Sequence, residues 1–150
     1  NSFGVKTRIA RIFNTYGPKM RLDDGRVIPN FVVQALQNKP LTVYGKGKQT
    51  RSFCFVDDLV EGLILLADSN YSLPVNLGNQ KETTVLELAQ KIIKVTKSKS
   101  AIKFLPLPQD DPEKRRPDTT VAEKKLGWKT KVSFDDGLKK TIDWFAQNLQ

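Results

Sequence analysis

The chain has 150 residues, 39% of them hydrophobic, and a formal net charge of +9. That length and apolar share suffice for one domain with a substantial core and argue against disorder. A single cysteine, Cys54, and no histidine exclude an internal disulfide, the common zinc sites and any Ser-His or Cys-His nucleophile pair. The positive balance favours acidic ligands, whether nucleic acid, phosphorylated metabolite or acidic partner, without choosing among them. The apolar run LVEGLILLA at 59–67 is broken by Glu61 and Gly62 and falls short of the roughly 18 residues that cross a bilayer, so a soluble, cytoplasmic protein without membrane contact is expected. The opening NSFGVKTRIARIF has no initiator methionine, signal-type apolar segment or cleavage site, and reads as a chain entered midway.

Residues 5–13 place Val5, Thr7, Ile9, Arg11 and Phe13 on one side and Lys6, Arg8, Ala10 and Ile12 on the other, which predicts a strand. Turn signals at Gly17-Pro18 and Asp24-Gly25 predict a loop over 14–29, leaving the strand at the end where α/β folds commonly hold ligands. Apolar residues at 28, 32, 35 and 36 predict a helix over 27–38, with Pro29 tolerated in its first turn and Pro40 closing it. LTVYG at 41–45 is a short β-like run, followed by a glycine loop and a mostly buried helix for which Asp57 or Asp58 is the natural N-cap. PVNLGN predicts a short strand stopped by Gly78, and Thr84-x-x-Glu87 is a capping box. It opens a helix with Leu86, Leu88, Ala89, Ile92, Ile93 and Val95 as its apolar stripe. A strand over 101–107, a charged loop over 108–118 and a short helix ending at Gly127 follow. Ser133 caps the last helix, with Leu138, Ile142 and Phe145 facing inward, and Trp128 and Trp144 fall at core positions. Strands alternate with helices throughout, so the class is α/β.

The stretch LTVYGKGKQTRSF carries the sharpest candidates. Tyr44 and Lys48 have a Tyr-x-x-x-Lys spacing, which lowers a tyrosine pKa for proton transfer when a helix stacks the two residues on one face. Gly45 and Gly47 disfavour that helix by roughly 1 kcal/mol each. The loop also lacks the residues of a phosphate-binding P-loop or a dinucleotide fingerprint. A glycine turn between an aromatic ring and Arg51 remains, with an ordinary hairpin as the plainer alternative. Arg51 and the EKRRP run at 113–117 are forks suited to phosphate or carboxylate, although the run also reads as a solvated charge cluster. Asn14 either meets a ligand at the strand end or turns the chain. Nucleic-acid binding would want exposed aromatics among the basic residues, whereas the aromatics here mostly fall at buried positions.

The segments ARIFNTYGP, GRVIPNFVVQAL, LTVYGKGKQTRSFCFVDDLVEGL, PVNLGN and DDPEKRRPD…KKLGW resemble, in order and over essentially the whole chain, the extended short-chain dehydrogenase/reductase family of nucleotide-sugar enzymes. The resemblance is nearest to its UDP-glucuronate decarboxylases, with 4,6-dehydratases and 4-epimerases more distant. It implies a C-terminal portion of such an enzyme. Residues 1–18 would supply a late Rossmann strand and crevice loop, and 19–150 mainly the substrate-binding α/β domain with returning Rossmann elements. The Gly-rich NAD loop and the helical Tyr-x-x-x-Lys dyad would lie before Asn1, leaving the segment alone inactive. Carried over by the resemblance, Phe13 and Thr15 lie near the nicotinamide of NAD. Asn14, Arg26 and Val27 meet the UDP-sugar, Thr42, Val43 and Tyr44 wall its uracil, and Arg51 clamps its diphosphate. Asn76 is a further substrate-side position, and Arg115 lies near the sugar carboxylate as proton donor or electrostatic partner. No metal is implied, and the full-length enzyme is expected to be a homodimer.

Overall fold

The computed structural model describes residues 3–107 and 114–149. Its elements, in order, are β1 (Ala10–Ile12), β2 (Thr15–Tyr16), α1 (Val27–Leu36), β3 (Leu41–Tyr44), β4 (Thr50–Ser52), β5 (Cys54–Phe55), α2 (Val56–Asp68) and β6 (Val75–Leu77), then β7 (Glu82–Thr84), α3 (Val85–Thr96), β8 (Ile102–Leu105), β9 (Lys114–Arg115), α4 (Thr120–Leu126) and α5 (Phe134–Asn148). The pairs β1/β6, β2/β5 and β3/β8 are parallel, and β4 lies between antiparallel β7 and parallel β9. This is a mixed α/β fold built on parallel pairs, as the alternation of elements predicts.

Side-chain alternation through Phe53, Cys54 and Phe55 divides the interior in two. Phe53 and Phe55 enter one core with Tyr16, the inner faces of α1, α3 and α5, and Leu41 and Val43 of β3. Cys54 enters the other with Leu59 and Leu66 of α2, Val75 and Leu77 of β6, Ala122 and Trp128. Tyr16 holds the first core at its centre. Its ring meets Phe53 and Phe55 edge-on, with centroids 6.3 and 5.6 Å away, and Phe134 tilted at 5.4 Å. Its hydroxyl donates to the Phe134 carbonyl at 3.3 Å. Helix α5 reaches this ring because position 137 is glycine, where a Cβ would fall 2.3 Å from the hydroxyl. In the second core the Trp128 indole N–H donates to the Asp58 carbonyl at 2.8 Å.

Local signals set several element ends as expected. Thr84 and Glu87 form the capping box of α3, and the Ser133 hydroxyl accepts from the Asp136 N–H at the start of α5. Leu138, Ile142 and Phe145 are buried, as is Trp128, whereas Trp144 is half-buried.

Elsewhere the structure corrects the sequence. The strand expected over 5–13 is confined to Ala10–Ile12, because among the described residues β1 pairs on one edge only, with the three residues of β6. Neither Asp57 nor Asp58 caps α2: Phe55 occupies the cap position without a side-chain bond, and Asp58 is buried, accepting from the Val132 N–H at 3.1 Å. Val95 is 42% exposed and leaves the stripe of α3, which is completed by Val85. The stretch from Tyr44 to Arg51 is not a hairpin, since β3 and β4 pair with different partners. Strands β2, β4, β5, β7 and β9 were not anticipated, β2 and β9 lying in segments expected to be loops, and the part of the charged loop over 108–113 lies outside the described residues.

Burial pushes the Cys54 thiol from its ordinary 9.0 up to about 12 and raises the Tyr16 phenol as well. Both groups stay neutral in the fold at pH values where the unfolded chain begins to ionise. Their contribution is therefore complete below about pH 9 and is lost as pH rises toward 12. Urea midpoints should fall between pH 8 and pH 10, and the fall should be smaller in Cys54→Ala. An identical fall would assign the alkaline loss to other groups.

Gly47 has φ +67°, and a Cβ there would lie 2.8 Å from Val43 Cγ1 and 2.9 Å from Leu86 Cβ. Gly127 has φ +64° with open space around it. Gly127→Ala should cost about 1–2 kcal/mol, the left-handed strain alone, and Gly47→Ala about 1–3 kcal/mol more from crowding. Equal losses in urea unfolding would show that the neighbours of Gly47 yield freely.

Candidate functional site

A cavity of about 560 Å³ opens between the loop that follows β1, the first turn of α1, and strands β3 and β4. Its floor is apolar, formed by Tyr16, Ile28, Phe31, Phe53 and Val85, and is the upper surface of the first core. Polar and cationic groups ring it: Asn14, Thr15, Arg26, Asn30, Thr42, Gln49 and Arg51, with Tyr44 on the β3 side. The aromatic cluster around Tyr16 thus serves both as packing and as the base of the site.

The loop segment is shaped by its turn chemistry. Gly25 takes φ +82°, a left-handed conformation that glycine adopts without strain, and Asn30 Nδ2 donates to the Gly25 carbonyl at 2.9 Å. Arg26 then forks onto Asp24, with Nη2 to Oδ2 at 2.7 Å and Nε to Oδ1. The hydrogen bond from Arg26 holds the Asp24 carboxyl below its ordinary value. The side chain of Arg26 is 58% exposed, so this pair fixes the direction of the guanidinium at the cavity rim and contributes little to stability.

The glycine turn brings Tyr44 and Arg51 to the same cavity. Gly45 and Gly47 both take positive φ, so Tyr44 and Lys48 do not stack on a helix face. The Tyr44 carbonyl accepts from the Gly47 N–H at 3.3 Å and from Gln49 Nε2 at 3.1 Å. The turn is anchored to α3, whose Val85 and Leu86 N–H groups donate to Gln49 and Gly47 carbonyls, each at 3.0 Å. Arg51 sits on β4 and donates from Nη1 to the Thr50 carbonyl at 2.8 Å. On β9 its register partner is Arg115, so the two arginines share a face on adjacent strands. Arg116 lies 3.9 Å from Glu82, which also accepts from the Thr50 hydroxyl at 2.5 Å.

Of the residues singled out from the sequence, Asn14, Thr15, Arg26, Val27, Thr42, Tyr44 and Arg51 line this one cavity. Phe13, Val43, Asn76 and Arg115 are not among its lining residues. Val43 is fully buried in the first core, backbone as well as side chain, and does not reach the cavity surface. Asn76 faces away, donating to the Asp118 carbonyl at 2.9 Å. Phe13 is half-buried against Gly78, and the Thr15 hydroxyl donates to the Phe13 carbonyl at 2.9 Å. Arg115 is exposed on β9, one strand beyond Arg51. Tyr16, Met20, Gln49, Phe53 and Val85 also line the cavity without having been singled out as site residues. Alternation along 53–55 was a usable signal for Phe53; Met20 and Gln49 carried none.

Among the described residues no group of three histidine, cysteine, aspartate or glutamate side chains could hold a metal ion. Among the same residues no helix is long and apolar enough to cross a membrane.

Known proteins place this architecture. The chain is 54% identical over 147 residues to UDP-glucuronic acid decarboxylase 1 of Danio rerio, a match that covers 98% of the chain and 35% of that protein. The chain thus spans about a third of the length of the curated relatives it matches. Among solved structures, the UDP-glucose 4-epimerase of Thermotoga maritima, determined with UDP-glucose, superposes with a TM-score of 0.93 at 30% identity, covering 99% of this chain and 48% of that one. The UDP-glucuronic acid 4-epimerase of Bacillus cereus, in complex with UDP-glucuronic acid and NAD, gives 0.88 at 28% identity, with 97% and 47% covered. The family profile described as GDP-mannose 4,6 dehydratase matches residues 1–141, and the chain belongs to that family, within the extended short-chain dehydrogenase/reductase enzymes of nucleotide sugars.

Proposed function

We propose that this chain is the C-terminal, substrate-binding part of an NAD-dependent UDP-glucuronate decarboxylase that yields UDP-xylose and carbon dioxide. The observation that carries the reading is a cavity with an aromatic residue, Tyr44, and two arginines, Arg26 and Arg51, on its wall. A nucleotide sugar combines a planar base with a doubly charged diphosphate, and guanidinium forks match phosphate bidentately. The likeness to UDP-glucuronic acid decarboxylases over nearly the whole chain supports this substrate and reaction.

Asn14, Val27, Thr42 and Tyr44 hold the sugar and base in this reading, with Val43 packed beneath them, while Arg51 clamps the diphosphate. Arg115 is set beside Arg51 and meets the sugar carboxylate; an anion between the two guanidinium groups would offset their mutual repulsion. Asn76 points elsewhere and belongs to the edge of the site only. Among the described residues no glycine-rich strand-to-helix turn is present to cradle a dinucleotide diphosphate. NAD is therefore held mainly by the part of the enzyme outside this chain, with Phe13 and Thr15 at its flank, and the segment alone is inactive. The two cores suit this division: β1, β6 and α2 belong to the Rossmann half, and the first core to the substrate-binding half. The complete enzyme is a cytoplasmic homodimer that binds no nucleic acid.

A 4-epimerase is the second reading, favoured by the epimerases among the solved structures of similar fold. Incubating the full-length protein with UDP-glucuronate and NAD separates them. Release of carbon dioxide with a UDP-pentose supports the decarboxylase, whereas a UDP-hexuronate epimer without carbon dioxide replaces it. In that assay Arg51→Ala should raise KM for the nucleotide sugar by about 10- to 100-fold with a smaller change in kcat. Arg115→Gln should instead lower kcat by about 100-fold. An Arg51→Ala enzyme with unchanged KM would remove Arg51 from the diphosphate site.

A further inference from the structure

The net charge is unevenly placed along the chain. Stretches 25–56 and 88–109 hold ten of the 25 lysines and arginines and none of the 16 aspartates and glutamates, so the remainder, with 15 basic and 16 acidic residues, is close to neutral. The fold brings these two stretches together, since β3 pairs with β8 and the inner faces of α1 and α3 share the first core. The positive balance therefore sits on α1, β3, β8 and most of α3, and the cavity opens beside them.

Position decides which of these cations can act there. Arg26 and Arg51 are on the cavity wall. Lys46 and Lys48 are exposed and do not line it, but they occupy the turn between Tyr44 and Arg51, which do. Lys48 adjoins Gln49, a lining residue, at the roughly 3.8 Å spacing of neighbouring Cα atoms, and Lys46 lies within about 7 Å of Tyr44 along the chain. The turn is pinned by its left-handed glycines and by the bonds from the Val85 and Leu86 N–H groups, so the two lysines keep their place at the rim. The carboxylates that follow on β7 and α3 are engaged elsewhere: Glu82 by Thr50 and Arg116, Glu87 by the Thr84 N–H and hydroxyl. No carboxylate among the described residues pairs with Lys46 or Lys48. Lys97 and Lys99 are also exposed but sit at the far end of α3, about 16 Å from Leu86. Screening within about 8 Å at physiological ionic strength removes that pair from the cavity and leaves the turn pair effective.

We propose that Lys46 and Lys48 steer a polyanionic nucleotide sugar into the cavity, raising its association rate without holding it once bound. This deepens the nucleotide-sugar reading and rests on it. Charges at a rim act on the encounter, whereas a guanidinium on the wall acts on the bound complex, so the turn and Arg51 divide the two tasks.

The test is stopped-flow binding of UDP-glucuronate to the full-length protein, with uncharged uridine as the control ligand. Lys46→Gln with Lys48→Gln should lower the association rate of UDP-glucuronate about three- to tenfold at low salt, with the dissociation rate unchanged. The deficit should close as ionic strength rises from about 0.02 to 0.5 M, and uridine should bind both proteins alike. Lys97→Asn with Lys99→Gln removes the same charge at the far end of α3 and should leave the association rate at physiological salt as it was. An unchanged association rate in the turn variant, an equal fall in the far-end variant, an equal fall with uridine or a faster dissociation would overturn the proposal and leave the nucleotide-sugar reading standing. A wild-type protein that does not bind UDP-glucuronate overturns both.

Discussion

The parallel pairing of β2 with β5 is the constraint on which the rest depends. The Asn14 carbonyl accepts from the Cys54 N–H at 2.9 Å, and Tyr16 falls opposite Phe55. That register sends Tyr16, Phe53 and Phe55 to one side and Cys54 to the other, so a few residues form the partition between two cores. A slip of one residue would exchange the contents of the two. The same pairing holds the loop that follows β1 beside β5, which brings Asn14 and Thr15 to the cavity that Arg51 also lines.

Rigidity below and charge above follow from this arrangement. The floor of the cavity is continuous with interlocked rings, from Phe53 stacked on Phe134 to Tyr16 across both. Its rim is assembled from groups whose directions are set by local partners: Arg26 by Asp24, Thr42 by Gln34, and the backbone at Tyr44 by Gln49. A site built on a packed floor with tethered polar groups loses little conformational freedom when a ligand arrives. The surface lysines are not among its lining residues. Lys91 of α3 and Lys131, between α4 and α5, pair with Asp135 and Glu61 at the surface, where such pairs are worth little.

How much of this was readable in the sequence follows from how local each cause is. The Thr84/Glu87 box, the Ser133 cap and the Gly127 stop act within one turn of their own residues and were legible. The helical stripes of α1 and α5 were legible for the same reason. Asp58 misled because its partner, the Val132 N–H, lies 74 residues away, and burial there outweighed the preference of aspartate for a cap. Strands of two or three residues, such as β5 and β7, are too short for a period to register and owe their existence to pairing partners. The arginines and Tyr44 could be named from chemistry and resemblance. Their meeting with Met20 and Gln49 around one cavity could not, because nothing in the spacing encodes it.

The glycine turn carries a consequence for how the protein comes together. Its anchors are the N–H groups at the start of α3, and β3 itself finds its strand partner only at β8, so each wall of the cavity is closed by contacts distant in sequence. Such contacts repay their loop-closure entropy late, after local helices have formed. The cavity is therefore complete only when contacts distant in sequence are made, and a ligand that fills it reports the finished fold. Binding of that kind acts on the folded population by mass action, so any ligand of the cavity doubles as a stabiliser of the topology that receives it.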